Sequence, residues 1–90
     1  MRHVEVELLS EAVNCPIISV PGRKFPGIVI QGDSLRILFD LVDDVEKLSA
    51  SGEAEELRES IVSLKKSLSG YLEEYETTMK AHGRELPYVK

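Results

Sequence analysis

The stretch PIISVPGRKFPGIVIQGDS, residues 16–34, contains two β-branched runs, two Pro-Gly turns and a helix start. Ile17-Ile18-Ser19-Val20 follows Pro16 and stops at Pro21-Gly22, which reads as a strand bounded by turn residues. Gly27-Ile28-Val29-Ile30-Gln31 resumes after Pro26 and ends at Gly32, and reads as the next strand. The loop between them, built around Arg23-Lys24-Phe25, spans about seven residues, whereas hairpin loops usually have two to five; unusually long loops carry function more often than short ones. Gly32-Asp33-Ser34 then opens a helix, because Asp33 or Ser34 can accept a hydrogen bond from the free amides of a first helical turn.

On the N-terminal side, Val4, Val6 and Leu8 alternate with Glu5 and Glu7, the period of a strand with one face buried and one in water. A three-stranded antiparallel β-meander over residues 3–31 follows, its first strand at 3–9. On the C-terminal side, Leu35, Leu38, Phe39, Val42, Val45 and Leu48 recur at helical spacing, and Ile37 and Leu41 widen that stripe. A first helix is therefore expected over 33–49, closed by Ser49-Ala50-Ser51-Gly52. A second is expected over 53–80, its first turn carrying Glu53, Glu55 and Glu56 where the helix dipole favours negative charge. The fold class is α+β: a meander followed by a two-helix antiparallel hairpin, in a single domain of residues 1–90. Tyr88-Val89-Lys90 reads as a weak extra edge strand.

Ala54, Leu57, Ile61, Leu64, Leu68, Tyr71 and Tyr75 follow one another at alternating intervals of three and four, a heptad seam on the second helix. The seam has two readings: packing within the hairpin, or an interface between chains. A single helix over 53–80 is about 42 Å long at 1.5 Å per residue, longer than the roughly 31 Å diameter of a compact domain this size. That length favours a homo-oligomer, most simply a two-fold dimer, joined through Leu57, Ile61, Leu64, Leu68, Tyr71, Leu72 and Tyr75. Gly70 lies off the seam, and a kink or early helix end there is the main threat to this reading.

Ninety residues with net charge −5 and one cysteine restrict the function classes. Residues 1–36 balance four bases with four acids, so residues 37–90 carry the whole acidic excess. Without a basic stripe to neutralise phosphates, neither nucleic acid nor an anionic membrane surface is an expected partner. No run approaches a bilayer span, and a lone Cys15 agrees with a reducing cytoplasm. Eight acids between residues 40 and 59, against Lys47 and Arg58, read either as a solvated face or as a dock for a basic protein partner.

Candidate chemistry is sparse. Arg23 and Lys24 on the loop, with Gln31, Asp33 and Ser34 at the helix start, suit an anionic or polar small ligand. The plainer alternative is a shaped turn with solvated cations. No catalytic residue is expected: Ser34 lacks the glycines of a nucleophile elbow, and His3 and His82 lie at the chain ends. Cys15, His3 and His82 share no ligand spacing, so neither a metal nor another cofactor is expected. The segment PGRKFPGIVIQGDSL (21–35), preceded by ELLSEAVN (7–14), resembles a small family of uncharacterised bacterial proteins. That resemblance implies a bacterial source and no established activity, and it marks Arg23, Phe25, Gln31 and Asp33 as positions to test.

Overall fold

The computed structural model describes residues 1–11 and 14–90. The expected link between the first two strands, Ser10–Cys15, lies partly outside the described residues. The chain forms strands β1 (Glu7–Ser10), β2 (Ile17–Ser19) and β3 (Gly27–Ile28), then helices α1 (Gly32–Ser51) and α2 (Ala54–Ala81). The strands make one antiparallel sheet in the order β1-β2-β3. A three-stranded antiparallel sheet followed by two helices is an α+β fold, as the hydrophobic patterning predicts.

Two compact units emerge: a sheet unit of residues 1–30 and 71–90, and a helical unit of residues 31–70. α2 belongs to both, and the boundary falls at Gly70. The helix runs through Gly70 without a break, so the early end feared there does not occur.

In the sheet unit, β1 departs from its expected phase. Glu7 pairs with Ser19 and Leu8 with Ile18, but Ser10 pairs with Ile17, so a bulge at Leu9 inserts one extra residue. The strand begins at Glu7 and not at residue 3, and Leu8 pairs with Ile18, whose side chain lies on the face opposite to that of the buried Ile17, so Leu9, not Leu8, packs against the core, and Val4, Val6 and Leu8 are exposed. β3 is shorter than its apolar run, although the Val29 amide still donates to the Pro16 carbonyl at 2.9 Å.

Strands this short bury little by themselves, and the C-terminal half of α2 supplies the other wall. Ile17, fully buried, packs with Tyr75 and Met79, while Leu9, Ile28 and Leu86 close the cluster. The Tyr75 hydroxyl donates to the Pro26 carbonyl at 2.7 Å. Ser10 Oγ donates to Glu74 Oε1 at 2.7 Å, and His82 Nε2 donates to the Leu9 carbonyl at 2.9 Å. Tyr75, which the heptad reading sets at an interface between chains, thus belongs to this chain's own core.

α2 ends in a Schellman turn. The Arg84 amide donates to the Met79 carbonyl at 2.9 Å and the Gly83 amide to the Lys80 carbonyl at 3.0 Å, with Gly83 at φ 64°. The chain doubles back, so the expected edge strand at 88–90 does not form. Tyr88 stacks on Tyr75 with centroids 6.4 Å apart and donates to Glu76 Oε2 at 2.8 Å, and Lys90 Nζ bonds Glu76 Oε1 at 2.9 Å.

In the helical unit, α1 starts two residues before Ser34, with Gln31 at the cap position and no side-chain cap. Asp33 Oδ1 accepts from the Ser34 amide at 2.8 Å instead. Gly52, at φ 78°, stops α1 in the left-handed region that favours glycine, and α2 begins two residues later. Leu38, Leu41, Val45 and Leu48 of α1 and Leu57, Ser60, Leu64 and Ser67 of α2 are half-buried along the hairpin.

Removing the buried hydroxyl of Tyr75 leaves the Pro26 carbonyl without its donor. Tyr75→Phe is expected to lower unfolding stability by about 1–3 kcal/mol, read as a lower urea midpoint with an unchanged slope.

Candidate functional site

The long loop, Val20–Pro26, is held by a turn in which the Arg23 amide donates to the Val20 carbonyl at 3.1 Å. Pro21 and Gly22 occupy its central positions, and Gly22 at φ 84° supplies the conformation a type II turn requires. Downstream, Pro26 is buried and its carbonyl is clamped by Tyr75. The loop is thereby shaped by its own turn at one end and fixed against α2 at the other.

Among the described residues, two concave sites of the sheet unit adjoin it. One, of about 260 Å³, is apolar and aromatic, lined by Pro26, Gly27, Ile28, Tyr71, Leu72, Tyr75, Pro87 and Tyr88. The other, of about 220 Å³, is lined by Lys24, Phe25, Pro26, Met79, Arg84 and Glu85. Lys24 Nζ lies 5.3 Å from the Phe25 ring centroid, a cation–π contact.

The five expected ligand residues fall into two groups. Arg23 and Lys24 are exposed on the loop of the sheet unit, whereas Gln31, Asp33 and Ser34 begin α1 in the helical unit. Sequence reasoning missed Arg84, which lines the same cleft as Lys24 only because the Schellman turn brings the tail back. Its signal was the glycine after the last helical turn, His82-Gly83-Arg84.

Of the residues expected at an oligomer interface, Leu57, Leu64 and Tyr71 are half-buried, Tyr75 is buried, and Ile61, Leu68 and Leu72 are exposed. Leu35, Ile37, Phe39, Val42 and Val62 join the exposed set, each retaining half or more of its surface. The helical unit contains no buried residue.

Burial, and secondarily Glu74, pushes the Cys15 thiol up, so it is held protonated and poorly nucleophilic. Beside α2, hydrogen bonds from Lys90 and Tyr88 hold the Glu76 carboxyl below its ordinary value. Partial desolvation, with the Glu76 hydrogen bond and charge, pushes the Tyr88 phenol up to about 12. Among the described residues, no group of three or more His, Cys, Asp or Glu is placed to hold a metal ion, and no helix is long and apolar enough to cross a membrane.

A small α+β protein with a clamped loop and an uncovered helical hairpin is the class these features define. The chain belongs to a family of unknown function, DUF6959, whose model matches residues 1–88. No curated protein and no solved structure matches it.

Because its folded value is raised, Tyr88 contributes stability that is present below about pH 10 and lost as pH rises through about 12. Ultraviolet titration should show one tyrosine ionising near pH 12, and Glu76→Gln should bring that step down. An unmoved step would refute the Tyr88–Glu76 contact.

Proposed function

We propose that the chain is a non-enzymatic protein–protein interaction module that works as an oligomer in a bacterial cytoplasm, with the helical unit as its association element. One observation carries this reading. Residues 31–70 form two helices with no buried side chain, yet Leu35, Ile37, Phe39, Val42, Ile61, Val62 and Leu68 remain largely exposed. An isolated amphipathic hairpin gains most of its stability by burying its apolar face on something else. The interface in this reading is shared by α1 and α2, with Ile61 and Leu68 of the heptad seam taking part while Leu57 and Leu64 stay inside the hairpin. Cys15, buried and protonated, suits a reducing compartment.

Light scattering across a hundredfold dilution tests the reading. The expected mass is at least twice the 10.1 kDa of one chain, falling toward one chain for Phe39→Ser. A wild-type chain that stays at the monomer mass and binds no hydrophobic dye would overturn it.

A second reading, binding of a small anion at the loop, is supported by the cleft that Lys24 shares with Arg84. Inorganic phosphate is then expected to raise the thermal midpoint, as any ligand of the native state does, and Lys24→Ala to abolish the rise. No rise with phosphate would remove this reading.

A further inference from the structure

The partner of the helical unit follows from how its exposed residues are distributed. The half-buried residues of α1 and α2 define the sides on which the two helices face each other. At about 100° per residue, Leu35, Phe39 and Val42 cluster roughly 80–140° round α1 from that inward side. Ile61 and Leu68 lie roughly 60–80° round α2 from its own inward side, in the same sense of rotation along the chain. Two right-handed helices running in opposite directions turn those sectors to one side of the hairpin. The opposite side is the cleft lined by Leu41, Leu48, Glu56, Glu59, Ser60 and Ser63. Leu35, Phe39, Val42, Ile61 and Leu68 therefore share one side of the hairpin and Glu56 and Glu59 lie on the other, with Ile37 turned toward the acidic side and Val62 outward on α2.

The cleft takes an equal length of each helix, from Leu41 to Leu48 and from Glu56 to Ser63, and on antiparallel helices equal lengths set Leu41 against Ser63 and Leu48 against Glu56. Continuing that register places Glu46 level with Arg58. Both border the apolar face, Glu46 on the α1 edge and Arg58 on the α2 edge, with Lys65 further along α2. Neither Glu46 nor Arg58 has an ion-pair partner among the described residues, whereas Arg36 pairs with Asp40 and Lys47 with Asp43 on α1 itself.

We infer that the apolar face binds a second copy of this chain, about a two-fold axis parallel to the helices. The operation lays α1 of one copy over α2 of the other at the same height. Glu46 then meets Arg58 of the second copy, and Arg58 meets its Glu46. Each helix becomes antiparallel to both neighbours, in an up-down four-helix bundle. Turning the faces together with the axis across the helices instead would set α1 on α1 and bring the acidic Glu46 edges against each other. Size is also sufficient. A face as long as α1, about 30 Å, and two helices wide, about 18 Å, covers roughly 540 Å² per copy, or about 1,080 Å² in all, just above the ~1,000 Å² a specific interface needs. The acidic faces point outward, so the net charge of −5 per chain is kept away from the contact.

This inference rests on the association reading and is tested separately from it, by charge reversal in the full chain. Glu46→Arg alone and Arg58→Glu alone each replace two ion pairs with two like-charge contacts, so each should weaken self-association by about tenfold to a hundredfold. Circular dichroism should show unchanged helix content. Mixing the two variants should restore a dimer containing one copy of each, read by light scattering and native mass spectrometry. A wild-type dimer indifferent to both reversals, or variants that fail to combine, would overturn this arrangement while leaving association intact. A monomeric wild type that still binds a hydrophobic dye would overturn the second copy as the occupant, with the exposed face then serving another protein.

Discussion

The hydrogen bond from the Tyr75 hydroxyl to the Pro26 carbonyl ties the end of the long loop to α2 in the core of the sheet unit. Strands of four, three and two residues cannot bury a face alone, so the sheet depends on α2 as its second layer. Tyr75 makes that layer specific. Its ring fills the core beside Ile17 and Met79, its hydroxyl satisfies a buried carbonyl at the end of the long loop, and Tyr88 covers its outer edge. The loop, the helix and the returning tail all meet on one side chain.

The helical unit is organised on the opposite principle. Its helices are well delimited, with Gly52 ending α1 and serine hydroxyls bonding back to the Glu46 and Leu48 carbonyls in the last turns. None of its side chains is buried. α2 thus meets two demands with one length of helix: beyond Gly70 it buries Tyr75 and Met79 within the chain, and before Gly70 it buries no side chain. A continuous heptad pattern conceals that division, because apolar spacing reports which residues seek cover and not what covers them.

Strand and helix positions were legible because turn residues and β-branched runs act locally. Pro21-Gly22, the Gly32 start and the Gly52 stop dictate backbone conformations within a few residues, and the elements follow. The phase of β1 was not legible. The alternation of Val4, Val6 and Leu8 is a sound local signal, but which face meets the core is set by pairing with β2, where Leu8 falls opposite Ile18 and not opposite the buried Ile17. The edge strand expected at 88–90 failed for a related reason. Tyr88 has high strand propensity, yet the Schellman turn delivers it to Tyr75 and Glu76, where stacking and a charge-assisted hydrogen bond outweigh that propensity.

The candidate sites divide along the same line. From the sequence by itself came the α+β class, the long loop with its cations, the acidic excess of the helical half and the apolar seam of α2, since each depends on neighbours in the chain. Only the tertiary structure decided that Tyr75 is core, that Arg84 joins Lys24 at one cleft, and that Leu35, Phe39, Val42, Ile61 and Leu68 stay exposed. Those facts depend on which surfaces meet, and that is governed by chain reversal at Gly52 and Gly83 and by the competition among apolar faces for cover, neither of which any local pattern encodes.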